Sequence, residues 1–113
     1  MFFFNKKNNK KQNLQIEINS SILEVYHEDL SSMGRDEAVL ACNDLGSDWR
    51  VPTMDELRQI KAQLHAKGLG DFQKTRYIAD DGSVFFGEEV GVLRNYNPKG
   101  ARGNGLLRPV RNQ

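Results

Sequence analysis

The chain has 113 residues, a formal net charge of +1 and a single cysteine, Cys42. Its length is typical of one domain and excludes two separate hydrophobic cores. No apolar run approaches the ~20 residues that a membrane-spanning helix needs, and one cysteine excludes an internal disulfide. Phe2-Phe3-Phe4 precedes the first lysines, which reverses the order found in a signal peptide. We therefore expect no membrane span, and a protein that is cytoplasmic or exported as part of a larger or processed protein.

The two ends of the chain are basic and its middle is acidic. Lysines fill the opening, arginines recur near the close, and every acidic residue lies from Glu17 to Glu89. Residues 1–13 have too little apolar surface to offset the entropy of ordering, which predicts a flexible basic tail followed by a single domain over residues 14–113. The basic blocks are either solvated tails and faces or, if the two ends meet in the fold, an anion-binding patch.

The domain opens with strand patterns. Leu14, Ile16 and Ile18 alternate with polar residues, which is the period-2 pattern of a half-buried strand. Apolar residues resume over 22–26, after a turn-like Asn19-Ser20-Ser21. A strand pair and one bent strand both fit this pattern.

A helical period begins at Arg35. Ala38, Cys42 and Leu45 recur at helical spacing, and acidic residues occupy the first turn. Gly46 is placed to end this helix in the left-handed conformation.

We interpret five residues as structural, in the connection between the two helices and in the first turn of the second helix. Thr53 and Glu56 predict a capping box, and Pro52 keeps the entering chain extended. Trp49 is interpreted as a core anchor rather than as a sugar-stacking ring. Arg50 is interpreted as the partner of an acidic residue or of a helix-terminal carbonyl rather than as an anion ligand.

The second helix is predicted from Met54 to about Lys67, with Gly68 as its stop. Its inward apolar stripe is Leu57, Ile60 and Leu64.

The remainder of the chain reads as strand and loop. Residues 77–79 and 84–86 predict a hairpin. The segment 87–105 is long and rich in Gly and Asn, and loops of this length in a compact domain are usually functional or disordered. Residues 106–111 predict a closing strand, and Pro109 limits its pairing to an edge or a bulge.

Short pieces between residues 23 and 111 form an ordered and spaced pattern. They are Leu23-Glu24-Val25, Asp29-Leu30, Met33, Glu37-Ala38, Ala41-Cys42, Leu45-Gly46, Trp49-Arg50-Val51-Pro52-Thr53, Glu56-Leu57, the Gly68-to-Phe72 turn and Arg108-Pro109-Val110-Arg111. Together they resemble the Lcl C-terminal domain family of bacteria. The resemblance implies a C-type-lectin-like α+β fold, similar also to the formylglycine-generating enzymes, in which the first and last strands pair and a long loop region carries binding. Some members of that family are associated with cell-surface adhesion or polyanionic glycan binding.

The chain departs from that family at several positions. Tyr77-Ile78-Ala79-Asp80 stands where many relatives have Tyr-Trp-Ser-Ser, and Pro109 stands where some have a second cysteine. Asn95-Tyr96-Asn97-Pro98 resembles the calcium and sugar motif of true C-type lectins only by composition. The paired cysteines of the formylglycine-generating enzymes are absent.

Other groups with chemical potential have simpler structural interpretations. His27 and His65 are isolated and lack a third ligand at metal-binding spacing. Cys42 lies in a helical stripe, where a buried small hydrophobe is expected rather than a nucleophile. Asp80-Asp81-Gly82 has the composition of a turn. We therefore expect no metal, no cofactor and no enzymatic activity.

The sequence thus predicts an α+β domain of C-type-lectin-like architecture, with two helices on a twisted, mainly antiparallel sheet. The expected function is a non-catalytic binding module that recognises a glycan or protein through the 87–105 loop. The alternatives are an assembly subunit that uses exposed strand edges or the N-terminal segment, and polyanion or nucleic-acid binding by the basic ends. Candidate ligand-binding residues are Arg94, Tyr96, Asn97, Lys99, Arg102 and Asn104.

Overall fold

Strands come first in the fold, then two helices, then strands again. The computed structural model describes residues 12–86 and 103–113, so the predicted tail and most of the predicted 87–105 loop lie outside the described residues. Within those ranges the elements are β1 (Leu14–Ile18), β2 (Ser21–Val25), β3 (Leu30–Met33), α1 (Arg35–Leu45), α2 (Met54–Gln63), β4 (Arg76–Ile78), β5 (Val84–Phe86), β6 (Gly105–Leu107) and β7 (Val110–Asn112).

The α+β class is confirmed, but the described strands form two sheets where the sequence predicts one. Sheet 1 has the antiparallel order β1-β2-β7, and sheet 2 has the order β3-β6-β4-β5, in which only the β4 and β6 pair is parallel. The predicted closing strand is split at Arg108 and Pro109, so that β6 belongs to sheet 2 and β7 to sheet 1. Pro109 has no N–H for a ladder, and the chain changes sheets at this point.

The first two strands form the predicted strand pair. Asn19 and Ser20 both have positive φ, at 50° and 71°, and they form a two-residue turn between the paired residues Ile18 and Ser21. Such turns match the twist of the strands they connect. The implied pairing of the first and last strands is wrong, because β1 occupies one edge of β2 and β7 occupies the other. Asn13, assigned to the tail by the sequence, donates to Glu24 at 2.8 Å.

Helix α1 ends at Gly46 as predicted, but in a different conformation. Gly46 has φ 152° and ψ 158°, far from the expected left-handed helical values. Its N–H donates to the carbonyls of Cys42 and Asn43, at 3.3 and 3.2 Å, which satisfies the end of the helix. Ala38 and Cys42 on the inner face are buried.

Helix α2 begins with the predicted capping box. Thr53 Oγ1 accepts from the Glu56 N–H at 3.1 Å, and Glu56 Oε1 accepts from the Thr53 N–H at 2.9 Å. The sequence predicts that this helix extends to about Lys67. The α-helix ends at Gln63, and His65–Lys67 form a turn of 3₁₀-helix instead. Gly68 then ends the helical path with φ 76°, as predicted.

The two faces of sheet 2 pack against two hydrophobic clusters. Tyr77 and Ile78 point to opposite faces because side chains alternate along a strand. The cluster shared with α2 and sheet 1 contains Ile16, Leu23, Val25, Leu57, Ile60, Leu64, Tyr77, Ala79 and Val110. The cluster shared with α1 contains Ala38, Cys42, Trp49, Val51, Ile78 and Leu107.

The predicted hairpin is present as β4 and β5, with Arg76 opposite Phe86 and Ile78 opposite Val84. Its turn is shaped by Asp81, whose Oδ1 accepts from the Ser83 N–H at 2.9 Å. Of the helices in the described ranges, none is both long enough and apolar enough to cross a bilayer.

Candidate functional site

A wide groove opens beside the start of β6 and has a volume of about 870 Å³. One wall comes from the end of the β2–β3 connection and β3, and the opposite wall comes from the segment that leads into β4. The base is formed by the residues around the start of β6. The lining residues are Asp29, Leu30, Ser31, Ser32, Phe72, Gln73, Lys74, Thr75, Arg76, Asn104, Gly105 and Leu106. We call this feature the Asn104 groove.

Close backbone packing places Asn104 at this position. A Cβ atom on Gly105 would lie 2.9 Å from the Ile78 nitrogen, so only glycine lets β6 approach β4 this closely. Asn104 directly precedes that contact and is exposed. Its Oδ1 would lie 3.4 Å from a Cβ built on Gly34, which places the side chain beside the start of α1.

Asn104 is the one predicted ligand-binding residue inside the described part of the chain. The other five, Arg94, Tyr96, Asn97, Lys99 and Arg102, lie outside the described residues. The sequence prediction missed the wall at 73–76, whose side chains are exposed. A signal was present there, because Gln73, Lys74 and Thr75 are polar and sit between the second helix and the hairpin.

The wall around residue 72 rests on the buried guanidinium of Arg108. The Arg108 side chain is 0% exposed, and its Cζ lies 3.9 Å from the centre of the Phe72 ring. Its Nη2 donates to the Gly70 carbonyl at 2.9 Å. Gly70 and Asp71 have positive φ values of 84° and 53°, which shapes this turn. The wall is therefore tied to the chain between β6 and β7.

Asp29 joins both walls of the groove. Its Oδ1 accepts from Arg108 Nε at 2.9 Å, and its Oδ2 accepts from the Tyr77 hydroxyl at 3.0 Å. The same hydroxyl accepts from the Gln73 N–H at 2.8 Å. Burial raises the pKa of Tyr77, and the neighbouring Asp29 carboxylate raises it further, so the hydroxyl remains a donor. This network holds the two walls of the groove together.

Arg50 has the structural role that the sequence predicts. Its guanidinium forms two hydrogen bonds of 2.8 Å with the Glu56 carboxylate and donates to Asn112 Oδ1. Burial opposes ionisation of Glu56, but hydrogen bonds from Arg50 and Thr53 hold the pKa of Glu56 below its usual value. Pro52 is buried beside this pair. These contacts lock the loop between the helices.

Trp49 is the predicted core anchor and is 7% exposed. The Tyr26 ring meets it edge-on, with 5.3 Å between ring centres. The Arg111 guanidinium covers it with Cζ 4.4 Å from the ring centre, and Arg111 Nε donates to Glu24 at 2.8 Å. Trp49 therefore has no open face for sugar stacking.

The same contacts change the expectation for the basic C-terminal end. Arg108 is buried with Asp29, and Arg111 is bound between Glu24 and Trp49. The buried Arg108 guanidinium therefore adds nothing to a basic surface, whereas the Arg111 side chain is 35% exposed and is paired with Glu24.

Cys42 and His27 are not among the residues that line the groove. Burial raises the pKa of Cys42 to about 11, as expected for a core thiol. Asn13 Oδ1 lies 2.9 Å from His27 Nδ1. Among residues 12–86 and 103–113, no group of three or more His, Cys, Asp or Glu side chains is arranged to hold a metal ion.

Comparisons with protein-family models, with curated proteins and with solved structures find no significant match to this chain. The resemblance carried by the short sequence pieces therefore stays a prediction.

Proposed function

We propose that this protein is a non-catalytic recognition domain that binds a polar ligand, a glycan or a protein segment, in the Asn104 groove. The observation that carries the proposal is the groove itself, which brings Asn104 in its base next to the polar residues of its two walls. We also propose that the fold is C-type-lectin-like, with the 87–105 segment as part of the binding region.

The dimensions of the groove suit a ligand of several chemical groups. Ligand sites in proteins commonly have volumes of about 300–1,000 Å³, and this groove has about 870 Å³. As lined by the described residues, the groove is open rather than enclosed, which favours an oligosaccharide or a peptide segment.

The lining offers groups of the kind that recognise polar ligands. Hydroxyls come from Ser31, Ser32 and Thr75, amides from Gln73 and Asn104, and cationic groups from Lys74 and Arg76. Amide and hydroxyl groups both donate and accept, which matches the hydroxyls of a sugar and the backbone of a peptide. Asp29 is the one carboxylate among the described lining residues, and it already accepts from Arg108 and Tyr77.

The groove is also rigid on one side. Arg108 holds the Phe72 ring and the turn before it, and Tyr77 holds the Gln73 backbone. A site that is shaped in advance loses less conformational entropy when a ligand binds.

The experiment is a glycan array and a peptide array probed with the full chain, followed by calorimetry on the best probe. Lys74→Ala, Arg76→Ala and Asn104→Ala each remove one exposed lining side chain. We expect each substitution to weaken binding by about 1 kcal/mol or more, the usual loss when a ligand hydrogen bond is removed.

Arg58→Ala is the matched control, because Arg58 is an exposed arginine on α2 away from the groove. It should bind like the parent protein. Unchanged affinity in all three groove variants would contradict the proposal, as would the absence of binding to every probe at millimolar concentration. A loss of affinity that appears only at raised salt would favour the alternative, polyanion or nucleic-acid binding by the basic ends.

A further inference from the structure

Strand β1 is the outer strand of sheet 1, and no strand in the described ranges pairs with its outer edge. Ile18 and Ser21 flank the two-residue turn and form a hydrogen-bonded pair of the hairpin. Residues 14, 16 and 18 therefore direct their backbone groups toward β2. The backbone groups of Gln15 and Glu17 point outward, away from the sheet.

Gln63 occupies both outward groups of Glu17. The Glu17 N–H donates to Gln63 Oε1 at 3.1 Å, and Gln63 Nε2 donates to the Glu17 carbonyl at 2.9 Å. A carboxamide has the same donor and acceptor pair as a peptide bond, so this side chain substitutes for one residue of a neighbouring strand. Gln59 Oε1 accepts a further bond from Gln63 Nε2 at 3.0 Å and orients the amide.

The same edge is self-complementary for two-fold pairing. If two copies of β1 pair antiparallel about Ile16, Gln15 of one copy lies opposite Glu17 of the other. The opposed side chains are then an amide and a carboxylate, with no like-charge contact. The two hydrogen-bonded pairs between the copies each use the N–H and the carbonyl of one Glu17. Gln63 occupies both of these groups.

We propose that the Gln63 carboxamide keeps the outer edge of β1 closed against pairing with a second copy of this chain. Native proteins commonly block or cover their edge strands against association with another chain. The β1 edge is thus an assembly surface held inactive by one side chain of α2, and loss of that side chain opens it.

The test is sedimentation velocity of the full chain over a hundredfold range of concentration. Gln63→Ala should dimerise with an association constant raised roughly tenfold or more over the parent protein, which corresponds to about 1.4 kcal/mol. Gln63→Leu retains more of the side-chain volume and should dimerise as well. Arg58→Ala on the same helix should sediment like the parent. Circular dichroism checks that each variant is folded.

A second substitution identifies the surface. Gln15→Pro removes an outward N–H for which the described residues provide no strand partner, and proline is tolerated at such positions of edge strands. Adding it to Gln63→Ala should return the protein to the monomer. The proposal is overturned if both Gln63 variants sediment like the parent, if dimers persist in the double variant, or if the parent itself dimerises through an edge that Gln15→Pro blocks.

Discussion

At the scale of single residues, Arg108 explains why the groove and the core depend on each other. It is a fully buried cation that one carboxylate and several carbonyl oxygens surround. Removing one partner of such a pair leaves an uncompensated charge, which costs more than the pair contributes.

Asp29→Asn should therefore lower the free energy of unfolding by about 3 kcal/mol or more. Chemical denaturation at neutral pH measures this loss. Asp55→Asn is the matched control, because the Asp55 side chain is 87% exposed in its pair with Arg58, and its effect should be small. Equal, small effects of the two substitutions would show that the Asp29 contact is not the anchor of Arg108.

Trp49→Ala should lower the free energy of unfolding by about 3–5 kcal/mol, the usual loss for a large buried aromatic. The reason is that Trp49 packs edge-on against Tyr26 and belongs, with Val51, to the hydrophobic cluster shared with α1. Thermal and urea unfolding measure the change. A melting temperature equal to that of the parent would mean that Trp49 is exposed in solution, and the sugar-stacking interpretation would then return.

Glu56 should make stability depend on pH. Its pKa is lower in the folded protein than its ordinary value of 4.5. The stabilisation is therefore fully present above that ordinary value and is lost as the pH falls through the folded pKa. The gap in unfolding free energy between the parent and Glu56→Gln should shrink from neutral pH to pH about 3. A gap that stays constant would contradict the ion pair with Arg50.

At the scale of elements, short-range chemistry was predictable and long-range pairing was not. The Thr53 and Glu56 box, the turn at Asn19 and Ser20 and the Gly68 stop all depend on residues a few positions apart. The closing strand is split because β6 pairs with strands of sheet 2 and β7 pairs with β2 in sheet 1, and these partners are distant in sequence. The sequence shows a proline there, but not that β7 pairs with β2.

Thr53→Ala should cost about 1 kcal/mol, because the N–H of Glu56 loses its side-chain acceptor. Urea unfolding measures this loss, and Thr75→Ala, an exposed threonine outside the helices, is the control. A cost too small to measure would indicate that the capping box does not contribute in solution.

At the scale of the whole molecule, the groove combines elements that are distant in sequence. Asn104 was predictable as part of a polar loop, and residues 73–75 are visibly polar in the sequence, but the position of the wall that they form was not predictable. That wall is placed by Arg108, which reaches across to the turn at Gly70 and Asp71. A buried arginine in a predicted edge strand gives no sequence signal of such a contact, since basic residues near a chain end are usually solvated.

The central claim is that a ligand occupies the Asn104 groove. Nuclear magnetic resonance of the labelled full chain, titrated with the best probe from the arrays, tests it most directly. The largest shifts in backbone amide signals should fall on Ser31, Ser32, Thr75 and Asn104, while the amides of α2 stay unchanged. Shifts that cluster on sheet 1 or α2, with none at the groove, would contradict the account.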